Sequence, residues 1–145
     1  MGYTPRYEDI SLNSVRVGDI LFEAKGFAGL TGHIAIVEGV FFDSFNQKFF
    51  IRVIEATKNY GVCRGVLDDQ RFVDRQGSLY FVPNATTNQR NNAVNFCSIQ
   101  LNKKYQLDFA KDTSSNELDW YCSELVWAGY MGQGIDIEYR HWTGL

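Results

Sequence analysis

His33-Ile34-Ala35-Ile36-Val37 and Phe49-Phe50-Ile51-Arg52-Val53-Ile54 are the two stretches on which the fold turns. β-Branched and aromatic residues dominate both, and the polar segment 43–48 between them is long enough for a turn. They read as the arms of an antiparallel hairpin. Working outward, Gly61-Val62-Cys63-Arg64-Gly65-Val66 reads as a third strand and 78–82 as a fourth. Ile20-Leu21-Phe22 enters after a turn at Gly18-Asp19, and 25–32, with three glycines, reads as a loop.

Beyond Pro83 the period changes. Ala93, Val94, Phe96, Cys97 and Leu101 recur at helical spacing, with Thr86 or Thr87 available as an N-cap. A polar loop at 111–117 separates this helix from a second over 122–131, which Gly132 and Gly134 stop. Strands and helices segregate rather than alternate, so the expected class is α+β, an antiparallel β-sheet packed with helices.

The 145 residues suit a single domain over 1–145, with 45% hydrophobic and 15% aromatic residues to cover one core. A net charge of −3 without a basic stripe argues against nucleic-acid binding. No run approaches the ~20 apolar residues that span a bilayer, so no stable membrane insertion is expected. The opening residues lack the order of a signal peptide. The compartment therefore stays open: cell envelope or secreted if a leader has been removed, otherwise cytoplasmic. Three cysteines cannot all pair within one chain, which excludes a disulfide scaffold and leaves a free thiol.

Cys122 stands where the second helix begins. Unpaired N–H groups and partial positive charge at that end favour a thiolate and can hold an oxyanion. A buried structural cysteine is the plainer alternative. His33 opens an apolar strand directly after Gly32. If the hairpin turns near residue 44 or 45, His33 lies across from Glu55 or a close neighbour, and a one-residue slip would turn Glu55 to the other face. In that register a carboxylate orients the imidazole and stabilises its charged form. Otherwise Glu55 is an ordinary strand-end carboxylate in water. Asp19 shapes the entry turn, His141 reads as a surface residue, and Cys63 and Cys97 as structural. A zinc site from Cys122 and the two histidines lacks close ligand pairs. Asp68-Asp69 reads as a solvated turn.

Four blocks, in this order, resemble a known family: Gly18-Asp19-Ile20-Leu21-Phe22, Gly32-His33-Ile34-Ala35-Ile36-Val37, Val53-Ile54-Glu55-Ala56 with Gly61-Val62, and Tyr121-Cys122-Ser123-Glu124-Leu125-Val126-Trp127. The resemblance is to the circularly permuted papain-like cysteine hydrolases of the NlpC superfamily, in the YiiX- and YaeF-like branch. Unpermuted members place the cysteine helix before the histidine strand, the reverse of the order here. The resemblance implies a permuted papain-like, NlpC-type fold, with Cys122 as nucleophile, His33 as general base and Glu55 as third polar residue. Tyr121 would line the site or support the oxyanion. No cofactor is implied.

Unpermuted relatives mostly cut peptides of the bacterial cell wall, so the first expectation is a cysteine peptidase or amidase acting on peptidoglycan peptides. A lipid-directed thioesterase, phospholipase or acyltransferase is the alternative enzyme, favoured by a pocket lined by Phe27, Phe41 and Trp127. The expected partner is accordingly a peptide or an acyl-lipid substrate. A catalytically inactive binding module is the alternative from another class. The chain stops at Leu145, soon after the cysteine helix, which suits a truncated C-terminus.

Overall fold

The computed structural model describes residues 4–26, 32–105, 119–120 and 122–137. Five strands form one antiparallel sheet: β1 (Ile20–Glu23), β2 (His33–Asp43), β3 (Lys48–Thr57), β4 (Gly61–Leu67) and β5 (Gly77–Tyr80), in the order β4-β3-β2-β1-β5. Among the described residues, three α-helices accompany it, α1 (Asp69–Asp74), α2 (Thr87–Ile99) and α3 (Cys122–Met131). The short strands β6 (Lys104–Tyr105) and β7 (Asp119–Trp120) pair in parallel. This is the expected α+β class, with the sheet antiparallel throughout.

Alternation along the strands sorts the core into two layers. Ile20, Phe22, Ile34, Ile36, Ile54 and Ala56 face one way, where they bury against Val94 and Cys97 of α2 and Leu125 and Tyr130 of α3. Leu21, Ala35, Val37, Ile51 and Val53 face the other way, under Ile10, Val15 and the ring of Tyr7. Each fully buried aliphatic side chain contributes about 1.5–3 kcal/mol, so these two layers hold the sheet between its covers. The helices over the first layer pack unusually close at Gly129. A Cβ there would lie 2.9 Å from the Ala93 carbonyl oxygen and 3.1 Å from Cys97 Sγ.

The helix starts are chemically specified. Thr86 caps α2 by accepting from the Gln89 backbone N–H, and the Gln89 side chain accepts from the Thr86 N–H in return. α1 was not anticipated. Asp68 accepts from the Arg71 N–H and caps it, while Asp69 accepts from the N–H groups of Glu8, Asp9 and Ile10. Both aspartates are buried, so the solvated turn read from the sequence is corrected to a helix start that pins the N-terminal segment.

The hairpin turns between residues 45 and 46, at the late edge of the expected range. Asp43 pairs with Lys48, and this register runs to Gly39 opposite Arg52. A bulge between Val37 and Gly39 then shifts the ladder, so that Val37 pairs with Val53 and Ile36 with Ile54. Carried one residue past its last pair, the shifted register would set Ala35 opposite Glu55, and three residues past it His33 opposite Thr57. His33 and Glu55 are thus diagonal neighbours on one face, not direct partners.

Candidate active site

β1, β2, β3 and α1 converge on a small buried group. Glu23 ends β1 directly opposite His33, the first residue of β2. Glu55 comes from β3, and Arg71 from α1 reaches over the sheet to both carboxylates. His33 is 6% exposed, Glu55 5% and Glu23 0%. Charges so placed each cost several kcal/mol unless paired, and here every one is paired.

His33 Nε2 lies 2.7 Å from Glu55 Oε1. An ionised carboxylate only accepts, so Nε2 carries the proton and Nδ1 is left to face the thiol. The ring hydrogen-bonds the side chain of Cys122. Arg71 donates to Glu55 from Nη1 at 3.0 Å and Nη2 at 2.6 Å. On its other side it donates to Glu23 from Nε at 2.8 Å and Nη2 at 2.7 Å. Gly65 on β4 leaves room for this pairing, because a Cβ there would fall within contact distance of Glu55 Oε2.

The ionisation states follow from the contacts. Burial opposes a charge on His33, but the hydrogen bonds to Cys122 and Glu55, with the Glu55 charge, lift the imidazole to about 9. Burial also opposes the Glu55 carboxylate, and His33 and Arg71 together hold it down at about 2. For Cys122, burial raises the thiol, yet the hydrogen bond and charge of His33 lower it below its ordinary value. The backbone N–H groups of Ile34 and Ser123 add to that lowering. The Ser123 N–H belongs to the exposed end of α3. Ile34 is available because the β2–β3 ladder ends at Ile36 and Ile54. These contacts favour a thiolate beside an imidazolium.

Cys63 and Cys97 differ in kind. Burial raises both thiols, and Cys97 is fully enclosed between α2 and α3. Asp19 accepts from the Arg16 N–H at 2.9 Å and shapes the turn before β1. Of the aromatics named for a lipid pocket, Phe41 stacks against the Arg52 guanidinium, and Trp127 donates to Asp136. Phe41 lines a cleft of about 410 Å³ whose walls are mixed, Val17 and Val94 standing beside Glu38, Arg64 and Asn95. Tyr121, Phe27 and His141 lie outside the described residues.

One atom each of Glu23, His33 and Glu55 falls within 4.8 Å of the others, a spacing that suits a metal ion. The donor set does not fit one. Arg71 already occupies both oxygens of each carboxylate, and its charge would repel a cation.

A cysteine at a helix N-terminus, facing a histidine on an antiparallel sheet, defines a papain-like cysteine hydrolase. Here the histidine strand precedes the cysteine helix in the chain. The chain belongs to the permuted papain-like amidases, the YaeF/YiiX or C92 peptidase family, whose model matches residues 14–144. No curated protein matches it, and neither does any solved structure.

Glu23 and Arg71 were missed by reading the sequence. A glutamate closing the otherwise apolar strand Ile20-Leu21-Phe22 was the available signal for the first. Arg71 gave none, since its partners stand 48 and 16 positions away.

Proposed function

We propose that this protein hydrolyses amide bonds through a thioester to Cys122, and that its substrates are peptides of the bacterial cell wall. The observation that carries the mechanism is the unbroken hydrogen-bonded series from Cys122 through His33 to Glu55. The Cys122 thiolate attacks the amide carbon, and the carbonyl electrons move onto oxygen. N–H groups at the start of α3 stabilise that oxyanion. Collapse expels the amine, which takes the proton of imidazolium His33. His33, now neutral, removes a proton from water as it attacks the thioester, and the acid departs with the thiolate restored. Glu55 stays ionised and keeps Nδ1 turned to the reacting atoms. The amidase family supports the bond type, and the resemblance to cell-wall enzymes supports the substrate class.

The test is the pH dependence of Cys122 alkylation by iodoacetamide, read by mass spectrometry in the native protein and in His33→Ala. Cys122 is expected to label well below the ~8.5 of a free thiol, ahead of Cys63 and Cys97, and to lose that lead in the variant. Ordinary labelling of Cys122, unchanged in a folded His33→Ala protein, would overturn the mechanism. Cell-wall peptides assayed beside lipid esters then test the substrate, and turnover of the esters alone would replace the peptide reading with a lipid one.

A further inference from the structure

Glu23 and Arg71 lie outside the cysteine, histidine and carboxylate series, yet both are built into it. Glu23, Arg71, Glu55, His33 and Cys122 form a buried cluster in which each cation lies between anions when the thiol is ionised. The guanidinium sits between two carboxylates and donates twice to each. Glu55 Oε1 accepts from Arg71 Nη2 and from His33 Nε2 at once, so the guanidinium sets the plane in which the imidazole is met.

Fastening α1 to the sheet would not need this arrangement. Apolar side chains of similar volume do that as well or better than a buried ion pair. A single carboxylate would also satisfy the guanidinium's charge. The second carboxylate has an electrostatic consequence. Arg71 alone would repel the proton on His33, and Glu23, paired with the guanidinium and within 4.8 Å of both His33 and Glu55, cancels that field.

We propose that Arg71 and Glu23 are a positioning pair for the reaction: Arg71 orients Glu55 and keeps it ionised, and Glu23 neutralises Arg71 so that His33 keeps its proton. This rests on the reading of Cys122 and His33 given above. The pair makes separable contributions. Without Arg71, burial and the neighbouring Glu23 drive a proton onto the carboxylates, the imidazolium loses its anion, and the thiolate forms only at higher pH. Without the Glu23 charge the guanidinium is uncompensated, and His33 gives up its proton at lower pH. Among the described residues, ionisable groups beside this cluster include Cys63 on β4, Arg75 just past the end of α1 and next to Glu23, and Tyr105 on β6, near Cys122. All three stay in place in the variants.

The experiment follows two titrations in the full chain. Thiolate formation is read from ultraviolet absorbance against Cys122→Ser and from iodoacetamide labelling. The His33 ring is followed by NMR, where the chain's two histidines leave only His141 to distinguish. In Arg71→Met the thiolate is expected to appear about one pH unit higher, an about tenfold loss of labelling at about pH 6. Arg71→Lys, which keeps the charge but loses the fork of donors, should label at a rate between those of the native protein and Arg71→Met. Glu23→Gln should instead move the His33 titration down by about one unit. Opposite displacements of two limbs are not what general loosening of the fold produces.

Arg71→Met leaves the buried Glu23 with Arg75, at 3.5 Å, as its paired cation and can fail to fold. The charge-balanced Arg71→Met/Glu23→Gln protein keeps the question open to refutation, and it too should form its thiolate at higher pH. Folded variants that keep both limbs at the native positions would overturn the pairing role while leaving Cys122 as nucleophile. An ordinary Cys122 titration in the native protein would instead overturn the mechanism on which the inference rests.

Discussion

His33 and Glu55 meet at 2.7 Å although neither stands opposite the other in the sheet. The bulge at Glu38 makes that meeting possible. In the register that leaves the turn, Glu55 would pair with Ile36, and Ala35 and His33 would lie on the opposite face of the sheet from it. The extra residue in β2 shifts the ladder by one and brings Ala35 and His33 onto the face that Glu55 shares with Ile51 and Val53. Glu38 itself is fixed there by Arg52 at 2.6 Å and Arg64 at 2.9 Å.

Replacing Glu55 by Gln keeps the shape and removes the charge. His33 then loses the anion that favours its proton, and Arg71 is left with Glu23 alone. Amide turnover should fall on the order of 10²-fold, within the range of positioned acid–base catalysis. Labelling of Cys122 at about pH 6 should fall with it. Steady-state kinetics and labelling on one preparation check this, and a Glu55→Gln enzyme with native labelling would remove Glu55 from the site.

The same charges make stability depend on pH in a stated direction. Glu55 falls from its ordinary 4.5 to about 2, so its contribution is present above 4.5 and is lost as pH drops through 2. His33 rises from 6.5 to about 9, so its contribution is complete below 6.5 and is lost as pH climbs through 9. The depressed thiol of Cys122 works in the opposite sense and softens the alkaline loss. The stability advantage of the native protein over Glu55→Gln should therefore be greatest between about 4.5 and 6.5 and shrink on both sides. Urea unfolding across that range measures it, and parallel curves for the two proteins would refute the ion pair.

Much of this was legible because it is local. Residue types alone marked β2 and β3, and the Thr86 cap and the Gly132 stop marked the two long helices. Cys122 announced itself by standing at a helix start. What escaped depended on pairing distant segments. The register of His33 against Glu55 needed the bulge, which no residue between Val37 and Gly39 declares. α1 is six residues long, too short for a periodic signal, and its identity rests on Asp68 and on the burial of Asp69. Arg71 became visible only once α1 lay across the sheet.

Asp69 offers a test of how that helix is held. Its carboxylate accepts three consecutive backbone N–H groups, those of Glu8, Asp9 and Ile10, which lowers its pKa despite burial. Asp69→Ala should cost on the order of 2 kcal/mol by leaving these donors unsatisfied. Amide hydrogen exchange should accelerate at residues 8–10 before it does in β2 or β3. Uniform acceleration across the sheet would mean that Asp69 supports the whole core and not the N-terminal segment.

Gly65 is the position where the site is most vulnerable to one added carbon. A Cβ there would collide with Glu55 Oε2 and lie 3.1 Å from Arg71 Nη1. The two atoms are hydrogen-bonded to each other, and Glu55 Oε1 is held by both His33 and Arg71, so the carboxylate cannot turn away without straining those bonds. Gly65→Ala should therefore cost about 1–3 kcal/mol, as overpacking does, and should also raise the pH at which Cys122 labels. Gly132→Ala is the control, since its Cβ would meet nothing closer than 3.6 Å. If Gly65→Ala lost stability but labelled like the native protein, the carboxylate would have moved without consequence for the thiolate. Glu55 would then contribute to folding alone, and the series from Cys122 would end at His33.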